Sequence, residues 1–182
     1  MEIISKAIDG DEILIRYLYL NDFKKNQLDP EKLIEKDVYV DTRDEGVSLQ
    51  REKYISENDC KILAKNIPRK YVGFMLFKKS VFEKLLEEHK TLRAEFEAEI
   101  NASPLDENNK KINSDIEVTT DTPGQPAHAD LEYINPAIIE EDTSTHTFSR
   151  IFSKNLCRQS VILLDQNIEE VNFIGCTFKE LF

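Results

Sequence analysis

The segment Pro126-Ala-His-Ala-Asp-Leu-Glu-Tyr133 holds the side chains of this 182-residue sequence best placed to do chemistry. In an extended strand successive side chains point to opposite faces. His128, Asp130 and Glu132 therefore share one face, and Ala127, Ala129, Leu131 and Tyr133 share the other. An imidazole and two carboxylates a strand step apart can hold a divalent metal or supply an acid and a base, particularly if Asp115 or Glu117 approaches from a neighbouring strand. The same alternation also describes an ordinary antiparallel strand with one wet face. Two possibilities therefore stand: a structural strand with no metal and no cofactor, and a metal-dependent hydrolase or nuclease with His128, Asp130 and Glu132 as catalytic residues.

Other reactive side chains are dispersed. His89, His128 and His146 are not paired at ligand spacing. His89 falls on the apolar stripe of an expected helix and reads as a buried, hydrogen-bonded residue. His146 reads as a helix-start residue. The three cysteines, Cys60, Cys157 and Cys176, are odd in number, far apart and without a Cys-x-x-Cys pair, so they read as reduced thiols. Cys157, beside Arg158, comes nearest to the basic setting that activates a thiol, but a structural role is expected for it and for Cys60. The five glycines are too scattered for a phosphate loop, and no Gly-x-Ser-x-Gly elbow, His-Glu-x-x-His helix or calcium loop occurs.

Charge is distributed unevenly. The formal net charge is −11, and residues 81–142 carry 16 acidic against 5 basic side chains while both flanks are balanced. Such a field repels phosphate backbones, so direct nucleic-acid binding is disfavoured. A docking surface for a basic protein fits this pattern, as does a solvated face that maintains solubility. The acidic residues singled out for partner binding are Glu83, Glu87, Glu88, Glu95, Glu97 and Glu99. The longest apolar run near the C-terminus, Val161 to Leu164, is far short of the about 20 residues a membrane helix needs. Glu2, Asp9, Asp11, Glu12 and Arg16 interrupt any leader-like start. A cytoplasmic setting without membrane contact is expected.

The elements that must position these residues come from periodicity. Met1 to Ala7 suggests a short strand, and Asp11 to Phe23 fits strand or helix equally well. Asp29-Pro30 starts a short helix to Lys36. Val38-Tyr39-Val40 and Val47-Ser48-Leu49 read as adjacent strands around a turn at 41–46. Ser56 caps a helix from about Glu57 to Asn66, which buries Cys60. Lys70 to Phe77, apolar on both faces, predicts an interior strand. Ser80 and Glu83 form a capping box for a long helix whose stripe runs Phe82, Leu85, Leu86, His89, Leu92, Phe96 and Ile100. A mobile loop follows to Ser114, then strands at Ile116–Thr120 and Ala129–Ile134 around a Pro-Gly turn. A helix capped by Thr143, Ser144 or Thr145 buries Phe148, Ile151, Phe152 and Leu156. The tail from Val171 to Phe182 reads as a closing hairpin or strand.

Gly46-Val-Ser-Leu, the later Pro126-Ala-His-Ala-Asp-Leu and a Ser/Thr-capped final helix together resemble a loose group of small bacterial proteins with the same order of features. The resemblance covers the central and C-terminal two-thirds. It implies a bacterial intracellular setting and no mechanism, and Val81 to Ser114 looks like an insertion relative to it.

The expected fold is a single α+β domain spanning 1–182, a small mixed or antiparallel sheet packed with three to four helices and carrying an acidic helix and mobile loop at about 81–114. With the familiar catalytic signatures missing, the expected function is a non-catalytic accessory or regulatory subunit of a bacterial intracellular multiprotein system, docking a basic protein.

Overall fold

The computed structural model describes residues 1–40, 46–134 and 143–182, with only the helical backbone for 143–147. Its described residues form an α+β fold: six antiparallel strands and four α-helices. The strands are β1 (Ile13–Tyr19), β2 (Val47–Arg51), β3 (Tyr71–Lys78), β4 (Ala98–Ala102), β5 (His128–Tyr133) and β6 (Val161–Leu164). They lie in the order β4-β5-β2-β1-β3-β6. The helices are α1 (Glu35–Val38), α2 (Glu57–Lys65), α3 (Lys79–Leu92) and α4 (Thr143–Arg158). No helix among the described residues is long and apolar enough to cross a membrane.

β1 is a strand because both its faces are needed. Ile13, Ile15, Tyr17 and Tyr19 enter one apolar cluster, while Leu14 and Leu18 enter the other. β3 beside it is buried from Tyr71 to Phe77. A bulge at Val72, where Leu18 faces Gly73 and Tyr19 faces Tyr71, places Val72 on the same side as Leu18. Gly73 lets β6 approach closely, since a Cβ there would lie 2.9 Å from Leu164 Cα.

One face of the sheet is covered by α3 and α4, whose Phe82, Leu85, Leu86, Phe152 and Leu156 pack over Leu14, Leu18, Met75, Phe77, Ala129 and Leu131. On the other face, α2 and the C-terminal tail cover only the β1–β3 side, with Cys60, Ala64 and Phe178 against Ile15, Tyr17 and Phe74. Each such large side chain stabilises the fold by roughly 1.5–3 kcal/mol relative to exposure. The tail is anchored by a fully buried ion pair: Lys61 Nζ lies 2.7 Å from the Asp165 carboxylate and donates to the carbonyls of Asn167 and Asn172.

Several expectations change. α3 does not extend to Ile100. It ends at Leu92, which is 82% exposed, and Arg93 turns extended at φ −146°. Phe96 and Ile100 are buried instead from a turn and from β4. Ser80 caps nothing, because α3 starts one residue before it and the N-cap position is Lys78. Met1–Ala7 and Ile116–Thr120 are irregular chain joined by the bridge Ile3–Thr119. Val38–Val40 closes α1 rather than forming a strand, and the turn residues 41–45 lie outside the described residues. The tail after Val171 is irregular and ends in a 3-10 turn at Phe178–Leu181. Ser56 does cap α2, accepting from Asp59 N–H at 3.2 Å.

Candidate functional site

β5 lies between β2 and β4, and register decides what surrounds its polar residues. Gln50 stands opposite His128, Ser48 and Asn101 opposite Asp130, and Glu99 opposite Glu132. His128, Asp130 and Glu132 therefore share a face, as strand alternation requires, together with Ser48, Gln50, Glu99 and Asn101. That face is not simply wet. His128 is 3% and Asp130 2% exposed, while Glu132 is half-buried. The connection between β4 and β5 supplies Ser103 to His128, Lys111 to Asp130 and Glu132, and Gln125 to Gln50. Gly46, at φ +84°, completes the packing, since a Cβ there would lie 3.1 Å from Asp130 Cβ.

Hydrogen bonding fixes the state of the imidazole. His128 Nδ1 is 2.9 Å from the Ser103 carbonyl oxygen and 3.0 Å from its hydroxyl. A carbonyl only accepts, so Nδ1 carries the proton and Nε2 is left with a bare lone pair. Burial lowers the His128 pKa below its ordinary value, against the opposing pull of Asp130, and keeps the ring neutral. Nε2 makes no hydrogen bond and lies 3.7 Å from Asp130 Oδ1. Gln50 donates through Nε2 to Gln125 at 3.0 Å, while its Oε1 accepts nothing. Lys111 Nζ is 3.2 Å from Asp130 Oδ2 and 3.3 Å from Glu132 Oε1. Burial disfavours its charge, but the two carboxylates outweigh this and raise its pKa.

The three side chains do not act as a triad of ligands. Among the described residues, no group of three or more His, Cys, Asp or Glu side chains could hold a metal ion. Lys111 is the cation between Asp130 and Glu132. Asp115 and Glu117 come from exposed irregular chain, not from a strand beside β5.

The acidic residues gather on α3 and around β4. Glu83, Glu87 and Glu88 project from α3 and are exposed, with Glu83 2.9 Å from Lys79. Glu95 pairs with Arg93 at 2.7 Å and Glu97 with Lys90 at 2.9 Å. Glu99 is exposed and faces another carboxylate, Glu132, across the strand pair. β4 is an edge strand. Ile134 N–H donates to Glu97 C=O at 3.1 Å and Ser103 N–H to His128 C=O at 3.0 Å. Residues 97, 99, 101 and 103 therefore bond toward β5, and the amides of Ala98, Ile100 and Ala102 face away from the sheet.

Of the thiols, Cys60 and Cys157 are buried and Cys176 is exposed. Burial pushes the Cys60 thiol well up, and burial with Glu35 does the same to Cys157, which donates to the Glu35 carbonyl at 3.3 Å. The proximity of Arg158 in sequence does not activate it, because Arg158 is turned to the Glu35 carboxylate at 3.3 Å. His89 is buried, accepts from the Asn155 amide at 3.2 Å, and has its pKa lowered by burial. The His146 side chain lies outside the described residues. Gln50, Ser103, Lys111 and Gln125 carried no signal in the sequence, since only strand register and the folding back of a long connection bring them to His128. No protein family, curated protein or solved structure matches this chain.

Proposed function

We propose that this chain is a non-catalytic interaction protein, an accessory or regulatory subunit of a bacterial intracellular multiprotein system, that docks a basic partner protein along its acidic β4 edge. The observation that carries this is the edge itself. The backbone groups of Ala98, Ile100 and Ala102 point away from the sheet, and Glu99 stands directly opposite Glu132. Like charges facing across strands are destabilising, and although Lys111 offsets Glu132, a cation from outside would offset Glu99. An extended basic segment meets both needs: its backbone adds a strand and its Lys or Arg side chains reach the carboxylates of Glu97 and Glu99. Glu87 and Glu88 on α3 extend the field that would steer such a partner. Phosphate backbones are repelled by the same field, so the occupant is a protein.

A metal-dependent hydrolase or nuclease on His128, Asp130 and Glu132 is the alternative. Lys111 between the two carboxylates weighs against it.

Capture on the immobilised full chain from a low-salt extract of the native host tests docking. Four forms are compared: the natural chain, Ala102→Pro, Glu99→Lys, and Glu170→Lys as a distant charge control. Proline at 102 removes an outward N–H while leaving the β5 ladder intact. A basic protein should be held by the natural chain and by Glu170→Lys, and lost from the other two. It should also be released near 1 M salt, where the screening length falls to about 3 Å. Equal capture by all four forms, or recovery of the bare monomer alone, refutes the edge as a docking site.

A further inference from the structure

We propose, resting on the reading of β4 as a docking edge, that Lys111 is a built-in competitor of the basic partner. Its ammonium occupies a carboxylate that an incoming Lys or Arg side chain must reach, so the strap that carries it restrains docking. Glu99 and Glu132 are register partners on one face of the β4–β5 pair, and a cation brought to Glu99 therefore arrives beside Glu132 as well. That second carboxylate is already taken. Lys111 Nζ lies 3.3 Å from Glu132 Oε1 and 3.2 Å from Asp130 Oδ2. The chain thus seats a cation of its own beside the place an external one would take, and two like charges so placed repel.

Lys111 is placed where it can be displaced. Its side chain is 59% exposed and that of Glu132 37%, so their contact is a surface ion pair, of the kind that adds little to stability and weakens with salt. The strap is the connection between β4 and β5, residues 103–127, and none of its side chains belongs to either apolar cluster. Polar anchors hold it to the sheet instead: Ser103 to His128, Lys111 to the two carboxylates, and Gln125 to Gln50. Segments with few buried apolar contacts open most readily, and displaceable elements are drawn from them. Leaving Asp130, whose side chain is only 4% exposed, strands a buried carboxylate. That cost makes Lys111 a restraint the partner must overcome.

Titration of the full chain into a fluorescent peptide of alternating lysine and valine, at low salt, tests the competition. Lys111→Met should bind the peptide about two- to fivefold more tightly than the natural chain, the scale of one cross-strand charge pair. Lys110→Met removes the same charge from an exposed neighbour and should bind as the natural chain does. Should Lys111→Met not fold, Lys111→Met combined with Asp130→Asn strands no buried carboxylate and keeps the natural net charge, and it should show the same tightening. Ala102→Pro should not hold the peptide. Equal or weaker binding by the Lys111 variants overturns the competition, as does equal tightening in Lys110→Met; with the peptide still lost from Ala102→Pro, the docking edge itself survives either result. No binding by any form, or full binding by Ala102→Pro, removes the docking edge and the competition together.

Discussion

At the scale of single residues, burial has sorted the titratable groups by whether a partner was available. Arg51 and Glu12 form one buried ion pair, and Arg51 also donates to the carbonyls of Ser5 and Ala7. His128 and His89 have no such anionic partner in hydrogen-bonding contact, and burial lowers the pKa of both below the ordinary value of 6.5. Around His128 the facing groups are Asp130, Lys111 and Arg16, and around His89 the facing charge is Glu88. Unfolding returns both rings to their ordinary affinity for protons, so below 6.5 the unfolded chain binds more protons than the folded one. Stability from these residues is thus fully present above 6.5 and lost as pH falls toward the depressed folded values. Asp22 and Glu52, raised by burial, act in the opposite sense within the carboxylate range. Thermal melts at constant ionic strength should give a midpoint that drops between about pH 7 and pH 5. His89→Gln and His128→Gln should each flatten that slope. A midpoint that rises across the same interval would show that these rings are not held neutral.

At the scale of elements, the tail is held to α2 by Glu57, Asn58, Lys61 and Lys65, of which Lys61 is the one carrying a fully buried charge. Lys61 of α2 is fully buried and holds Asp165, Asn167 and Asn172, so it joins α2 to the chain that leaves β6. Removing one partner strands a charge in the interior. Lys61→Met should cost about 3–5 kcal/mol in urea unfolding, and adding Asp165→Leu should recover much of it. A Lys61→Met variant as stable as the natural chain would mean that the packing of Phe173 and Phe178 and the contacts of Glu57, Asn58 and Lys65 suffice to hold the tail. Elements with local signals were legible in the sequence: Ser56 marks the start of α2, the doubly apolar run marks β3, and alternation marks the polar face of β5. β4 was not, because Phe96 and Ile100 fall at helical spacing behind Leu92. Its true signal is the strict alternation of Glu95, Glu97, Glu99 and Asn101 with Phe96, Ala98, Ile100 and Ala102, which burial of one face alone selects. The partners of His128 had no local signal, since strand pairing between positions 50 and 128 is a property of the assembled sheet.

At the scale of the whole molecule, the sheet is asymmetric. Its β1–β3 side is sandwiched between helices α3 and α4 on one face and α2 with the tail on the other. Its β4–β5 end carries polar side chains on the second face and, among the described residues, has the carboxylate-flanked β4 as its edge strand. Amide hydrogen exchange resolved over residues 96–104, with and without the captured basic partner, tests that edge most directly. Addition of an external strand should slow exchange at Ala98, Ile100 and Ala102 together. The alternate amides of Glu99 and Asn101, already bonded to β5, should change far less. Unaltered exchange at the three outward amides while the partner is bound would contradict docking at β4.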